Sequence, residues 1–319
     1  MIVKRIISSK IAKYFFGNAF LSICLFVLVT TPNTSYSENQ IPNIVTTTGM
    51  ITDIVKQVAG DFANVQGIIH EGVDPHLFRL TRSDMAKLIK ADVIFYNGLF
   101  LEGKMTEVFN KLLTANRVVI ALGEQINQSE LIRSSESSNH IDPHIWMSPV
   151  LWSKVVEVIR AKLCELYPPN QASFNSNASE LQLKIKKLDE YARNAILTLP
   201  TNSRVLVTGH DAFRYFGNSY ELEVIGIQGL NTESETSIRN IERIVNILVD
   251  KKIKAIFVET TVSSSSVEAI VEGAAAKGHV VKIGGKLFSD AMGKAGTDEG
   301  TYIGMLNHNI NAIVSALGQ

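Results

Sequence analysis

Cysteine is almost missing. The 319-residue chain has two, Cys24 and Cys164, and Cys24 lies in an N-terminal apolar stretch that reads as a leader. With the leader removed, Cys164 stands alone, which excludes an intramolecular disulfide and a thiolate zinc cluster. Its surroundings, residues 155–166, have helical periodicity and suit a core thiol. Net charge is missing too, since 31 Lys and Arg balance 31 Asp and Glu. No basic run follows the N-terminus, so a nucleic-acid or anionic-membrane partner has no electrostatic footing. His-Glu-x-x-His, a nucleophile elbow and Gly-x-Gly-x-x-Gly are all absent, and with them the signatures of a zinc hydrolase, a serine hydrolase and a dinucleotide site. The pair Gly284-Gly285 is too slight to cradle phosphate. There is no His-rich or low-complexity tract, and no internal repeat longer than a tripeptide.

What is present begins with an export signal. Lys4, Arg5, Lys10 and Lys13 form a basic start, residues 19–29 are apolar, and Ser35-Tyr36-Ser37 supplies a small-x-small cleavage site before Glu38. The apolar stretch over 15–29 is short for a membrane span of about 20 residues. Cys24 follows Ile23 rather than a small residue, so lipidation is not expected. A cleaved signal peptide over 1–37 and a periplasmic protein are the expectation. The length suggests about two domains, and 45% hydrophobic residues suffice for real cores.

Short apolar runs then alternate with helical periodicities. Strands are predicted at 44–48, 65–69, 93–96 and 118–122, with helices at 50–59, 81–90 and 104–113; Ser83 is the expected N-cap of the second helix. This βαβ alternation implies parallel strands with helical crossovers. Residues 123–138 are polar and read as a loop. A helix follows at 149–166, closed by Pro168-Pro169. The longest helical pattern covers 175–199, with Leu181, Ile185, Leu188, Ala192, Ala195 and Leu199 at three- and four-residue steps. It reads as a stiff strut between two lobes. Alternation resumes with strands at 205–208, 223–227, 255–259 and 280–283 and helices at 211–218, 237–251, 264–277 and 301–317. The expected fold class is α/β: two lobes of mostly parallel sheet flanked by helices, joined by one long rigid helix. The boundaries are 38–170 for the first lobe, 171–199 for the linking helix and 200–319 for the second lobe.

One tripeptide occurs twice, as Asp74-Pro75-His76 and as Asp142-Pro143-His144. Each proline restricts where the following imidazole can point, and each aspartate is placed to hold the ring N–H. A lone histidine is more often a surface or satisfied core residue; the repetition is what singles these out. His210 ends the apolar run from Arg204, and Asp290 ends Lys286-Leu-Phe-Ser-Asp. In open parallel sheets ligands gather beyond the carboxyl ends of strands, where His76, His210 and Asp290 fall. Three imidazoles and one carboxylate suit a divalent transition metal. Two donors come from each half, so the site belongs in the cleft between lobes. Glu259, at another strand end, is a supporting group or a fifth ligand. His70, His140, His279 and His308 fit less well. Two other readings stay open on these residues, a zinc hydrolase using three of the four donors and a binder of organic ligands on the same frame.

Gly72-Val-Asp-Pro-His-Leu-Phe-Arg-Leu-Thr-Arg-Ser-Asp84, Asp142-Pro-His-Ile-Trp-Met-Ser-Pro149, Thr208-Gly-His-Asp-Ala-Phe-Arg-Tyr-Phe216, Phe257-Val-Glu-Thr260 and Leu287-Phe-Ser-Asp-Ala-Met-Gly293 together resemble the zinc/manganese-type substrate-binding proteins of metal ABC importers, across essentially the whole mature chain. The resemblance implies His76 and His144 as ligands from the first lobe and His210 and Asp290 from the second. It implies a bound Mn²⁺ or Zn²⁺ carried as cargo, an ABC permease in the inner membrane as partner, no catalysis and a monomer. Met147-Ser148 departs from the family's usual Leu-Asp, and Thr236 and Thr260 from its usual Pro. The His-rich loop common in dedicated zinc binders is missing, which sets manganese beside zinc.

Overall fold

The computed structural model describes residues 41–134, 140–234 and 236–318. The expected signal peptide, its cleavage site and Cys24 lie outside these residues. Among them no helix is long and apolar enough to cross a membrane.

The first half runs β1 (Asn43–Thr46), α1 (Gly49–Ala59), β2 (Asn64–Gly67), α2 (Arg82–Lys90), β3 (Val93–Tyr96), α3 (Thr106–Thr114) and β4 (Val118–Ala121). Its strands pair in the order β2-β1-β3-β4, all parallel. Buried residues on α1 (Met50, Ile51, Ile54, Val55, Val58) cover one face, and Leu88, Met105 and Phe109 join the cluster on the other. The cap of α2 is Thr81, not Ser83. Thr81 has extended backbone, its hydroxyl accepts from the Asp84 N–H, and the Asp84 carboxylate accepts from the Thr81 N–H at 3.0 Å. That reciprocal capping box needs an acid three residues after the cap, which Thr81 has and Ser83 lacks.

Two helices follow, α4 (Pro149–Leu166) and α5 (Gln171–Leu197). Ser148 caps α4 by accepting from the Leu151 N–H, and Pro149 occupies the first helical position. The Ser in place of the family's usual Asp keeps a capping oxygen there. At 27 residues, α5 is about 40 Å long; it begins at Gln171, four residues before the periodic pattern that starts at 175. Phe174, Ala178, Leu181, Ile185, Leu188, Ala192 and Ile196 form one buried stripe along it.

The second half runs β5 (Val205–His210), α6 (Arg214–Tyr220), β6 (Glu223–Gln228), α7 (Ile238–Asp250), β7 (Ala255–Glu259), α8 (Ser265–Ala276), β8 (Lys282–Leu287) and α9 (Tyr302–Leu317). Parallel pairs β5-β6 and β7-β8 form, and β5 lies against β7. The last strand differs from expectation by lying later than 280–283. Its Gly284-Gly285 pair breaks the β-branched pattern that marks a strand in sequence, yet it is needed here. A Cβ at Gly284 would sit 2.9 Å from the Phe257 ring and 2.7 Å from Ala316. The missing side chains let α9 close on the sheet, and Gly285 takes up a register shift beside Phe257 at φ 153°.

The long helix packs on α1 and α4 from the first half and on α6 and α9 from the second. The largest apolar cluster follows it, from Trp146, Trp152 and Ile159 through its stripe to Phe213, Phe216, Tyr302 and Ile310. Cys164 is a buried free thiol at the edge of this core.

Candidate metal centre

The second Asp-Pro-His tripeptide is self-bracing. Asp142 Oδ1 accepts from the His144 backbone N–H at 3.0 Å and from its ring Nδ1 at 2.7 Å. This fixes the tautomer and leaves Nε2 as the free lone pair. The first tripeptide differs from its expected role. Asp74 Oδ1 accepts only the His76 backbone N–H, at 2.8 Å, and its other oxygen accepts from the Thr232 hydroxyl, far along the chain. Neither of these bonds reaches the His76 ring.

His210 is the last residue of β5 rather than two positions beyond it. The adjacent strand end brings Glu259 against it. Glu259 Oε1 accepts from the His210 N–H at 2.8 Å, and Oε2 from its Nδ1 at 2.5 Å. Glu259 therefore supports the ring and offers no free oxygen to an ion at its Nε2 side. Asp290 lies in the bend after β8, three residues past Leu287. Its loop is pinned from the first half, where Trp146 Nε1 donates to the Ser289 carbonyl at 2.8 Å and the Tyr302 hydroxyl donates to the Trp146 carbonyl at 2.8 Å.

These loops bring His76, His144, His210 and Asp290 together, with all four donor atoms within 4.8 Å of one another. His76 Nε2 lies 3.3 Å from His144 Nε2 and 3.5 Å from Asp290 Oδ2. His144 Nε2 is 3.4 Å from Asp290 Oδ1, and His210 Nε2 is 3.2 Å from Oδ2. A tetrahedron with metal–donor bonds of about 2.05 Å has edges of about 3.3 Å, which these four distances match, and the remaining pairs stay within 4.8 Å. The site is dry: His144 and His210 are 0% exposed, Asp290 1% and His76 5%. Neither Asp290 oxygen has a hydrogen-bond partner, and neither does His210 Nε2.

Burial alone would raise the Asp290 carboxyl, but His210, His144 and His76 together outweigh it and hold the group well below the usual carboxylate range. Burial pushes His76 down to about 3 against the pull of Asp290. At His210 burial is again the largest single influence, yet Glu259 and Asp290 jointly raise the ring well above its ordinary value. The donor set thus keeps its carboxylate charged and one imidazole neutral across the physiological range, and holds one proton at His210 that a cation can displace.

The other histidines have different roles. His70 is exposed, and His140 faces the Phe100 ring at the surface, centroids 6.0 Å apart. His279 and His308 bond the Ile253 and Lys286 carbonyls at 2.7 and 2.9 Å. The supports missed in sequence are Trp146, Ser289 and Thr232. Their contacts join positions 143 and 158 residues apart, and no local pattern announces them.

Residues 44–316 match the family described as zinc-uptake complex component A periplasmic. The chain is 44% identical to the manganese-binding lipoprotein MntA of Bacillus subtilis over 287 residues, 90% of this chain and 93% of that one. It is 45% identical to the zinc-binding protein TroA of Treponema pallidum over 278 residues, 87% and 89% of the two chains. The solved structure of that periplasmic zinc-binding protein superposes with a TM-score of 0.85, covering 88% of this chain and 100% of the other. These are binding and transport proteins rather than enzymes. The dry four-donor cluster, the long helix running between two parallel-stranded halves and a family match over nearly the whole described chain lead to one conclusion: the protein belongs to the ZnuA family of substrate-binding proteins of manganese and zinc ABC transporters.

Proposed function

We propose that this chain captures Mn²⁺ or Zn²⁺ in a site formed by His76, His144, His210 and Asp290 and hands the ion to an ABC permease in the inner membrane. In this reading residues 1–37 are a cleaved signal peptide and the mature protein works as a periplasmic monomer. Residues 38–170 and 200–319 form two lobes, 171–199 link them, and the ion sits between. The single observation that carries the reading is Asp290, a buried carboxylate with no hydrogen-bond partner, faced by three imidazole Nε2 atoms at 3.2–3.5 Å. In the metal-free protein the charge facing this carboxylate is the proton on His210, 3.2 Å away, and a divalent cation at the centre takes that proton's place. The manganese bound by MntA and the zinc bound by TroA support either ion as cargo. Closure of the four donors on one another leaves no room for an attacking water, which weighs against a hydrolase.

Metal analysis tests this. Protein purified without chelator or nickel resin, then stripped and reloaded, is expected to hold one Zn²⁺ or Mn²⁺ per chain. Alanine at Asp290 or His210 is expected to abolish metal-induced thermal stabilisation while the metal-free fold survives. Full stabilisation in either variant removes that residue from the site.

A further inference from the structure

The four donors are not held alike. His144 is braced at Nδ1 by Asp142, and His210 by Glu259. Asp290 carries no such brace, but its loop is tied at Ser289 to the Trp146 indole, which lies two residues after His144. Each of these three donors is therefore held in place by a buried side chain, Asp142, Glu259 or Trp146. The His76 ring has no carboxylate at Nδ1; its loop is anchored through Asp74.

The anchor reaches across the cleft. Asp74 accepts from the His76 backbone N–H with one oxygen and from the Thr232 hydroxyl with the other. Next to Thr232, Glu233 pairs with Lys104 of the first half. Asp74 and Thr232 are only partly buried, unlike Asp142 and Glu259. His76 is also the one donor that lines the large open cleft of about 1610 Å³, alongside Phe100, Lys104 and Glu233. Asp290 borders a smaller pocket of about 260 Å³ on another side, where its loop is held through Ser289 by the Trp146 indole.

We infer that the ion enters and leaves by the His76 side, with His76 the first donor to let go, and that Asp74 and Thr232 are positioning residues whose hydrogen bond across the cleft sets the rate of exchange. The inference rests on the proposed metal site. While the bond holds, the His76 backbone is fixed and its ring stays on the ion. When the bond opens, the loop carries the ring toward the cleft, and the remaining three donors form a weaker site open to solvent on that side. The residues that touch the ion are unchanged throughout, so Thr232 governs rate rather than ligand identity.

The test is a stopped-flow chelator chase of the Zn²⁺-loaded protein, run on the parent, Thr232→Val and Thr232→Ser. Removing the hydroxyl is expected to speed Zn²⁺ dissociation roughly tenfold, as the loss of one hydrogen bond to a charged group implies. Serine keeps the hydroxyl and is expected to restore the parent rate. The visible spectrum of Co²⁺-loaded Thr232→Val is expected to match the parent, because the donors are the same, a result that general loosening of the fold would not give. Parent-like dissociation in Thr232→Val overturns the inference, as does equal acceleration in Thr232→Ser. A changed Co²⁺ spectrum also overturns it. Release through the Asp290 side would show as acceleration by Trp146→Phe with none by Thr232→Val, and that too overturns it. If the parent binds no Zn²⁺ at all, the proposed site itself has failed; a parent that binds tightly with an indifferent Thr232→Val shows that only the exchange route is wrong.

Discussion

Glu259→Gln separates two opposing effects at His210, a proposed ligand. The carboxylate grips His210 twice, at the ring Nδ1 and at the backbone N–H, one oxygen for each. Glutamine has nearly the same shape but a single acceptor oxygen, and its amide nitrogen would face a second donor. Loss of such a support costs a metal site about 10–100-fold in affinity, or about 1.4–2.7 kcal/mol. The same carboxylate also raises the His210 affinity for a proton, and that proton competes with the ion. Removing it relieves the competition, but only below the raised pKa of the parent's His210. The net loss of Zn²⁺ affinity is therefore expected to grow with pH, being smallest near about pH 6 and approaching the full factor well above neutrality. Competition with a chelator of known affinity, at several pH values and with circular dichroism to check the fold, measures it. Parent affinity at every pH, or a loss that shrinks as pH rises, would refute the reasoning.

Zinc binding by the parent is expected to release at least one proton, that of His210, so apparent affinity climbs with pH through neutrality; calorimetry in buffers of different ionisation enthalpy counts the protons, and zero release contradicts the site. The metal-free protein has its own pH profile. Because His76 is pushed down to about 3, the unfolded chain binds more protons than the folded one between about 3 and 6.5, and stability falls as pH drops through that window, by up to about 1.4 kcal/mol per pH unit. The raised His210 acts the other way, its stabilisation complete below about 6.5 and lost as pH rises through its folded value. Asp211, pushed up to about 7 by burial, opposes the His76 slope below neutrality, so urea unfolding of the stripped parent is compared with stripped His76→Gln, and the variant is expected to lose the His76 part of the pH dependence between about 3 and 6.5. Zn²⁺ is expected to bind more tightly than Mn²⁺, following the usual order for nitrogen and oxygen donors, while Mn²⁺ still binds; displacement of Zn²⁺ by equimolar Mn²⁺ in competition calorimetry would reverse that ranking.

The four candidate donors stand out in the sequence because each marks itself locally, two following proline in a repeated tripeptide and two ending apolar runs, and the structure brings their donor atoms within 4.8 Å of one another. The fold class was legible for the same reason, since alternating periodicities encode βαβ units directly. Boundaries failed where one residue type served two purposes. Gly284-Gly285 reads as a break in sequence but is the part of β8 against which α9 closes. Ser83 resembles a cap, while the reciprocal pair Thr81–Asp84 takes the role. Asp74 and Asp142 have the same local sequence yet different jobs: one oxygen of Asp142 takes both the backbone N–H and the ring of His144, whereas Asp74 takes the His76 N–H with one oxygen and a hydroxyl from 158 residues away with the other. Contacts of that range, like the Trp146–Ser289 tie, depend on how the halves meet and leave no trace in either segment alone.

The most direct measurement is a crystal structure of the Zn²⁺-loaded protein with anomalous data at the zinc edge. It is expected to show one peak per chain, about 2.0–2.2 Å from the Nε2 atoms of His76, His144 and His210 and from an Asp290 oxygen. A peak at His140, His70 or elsewhere on the surface, with the Asp290 carboxylate still unpartnered, would contradict the account.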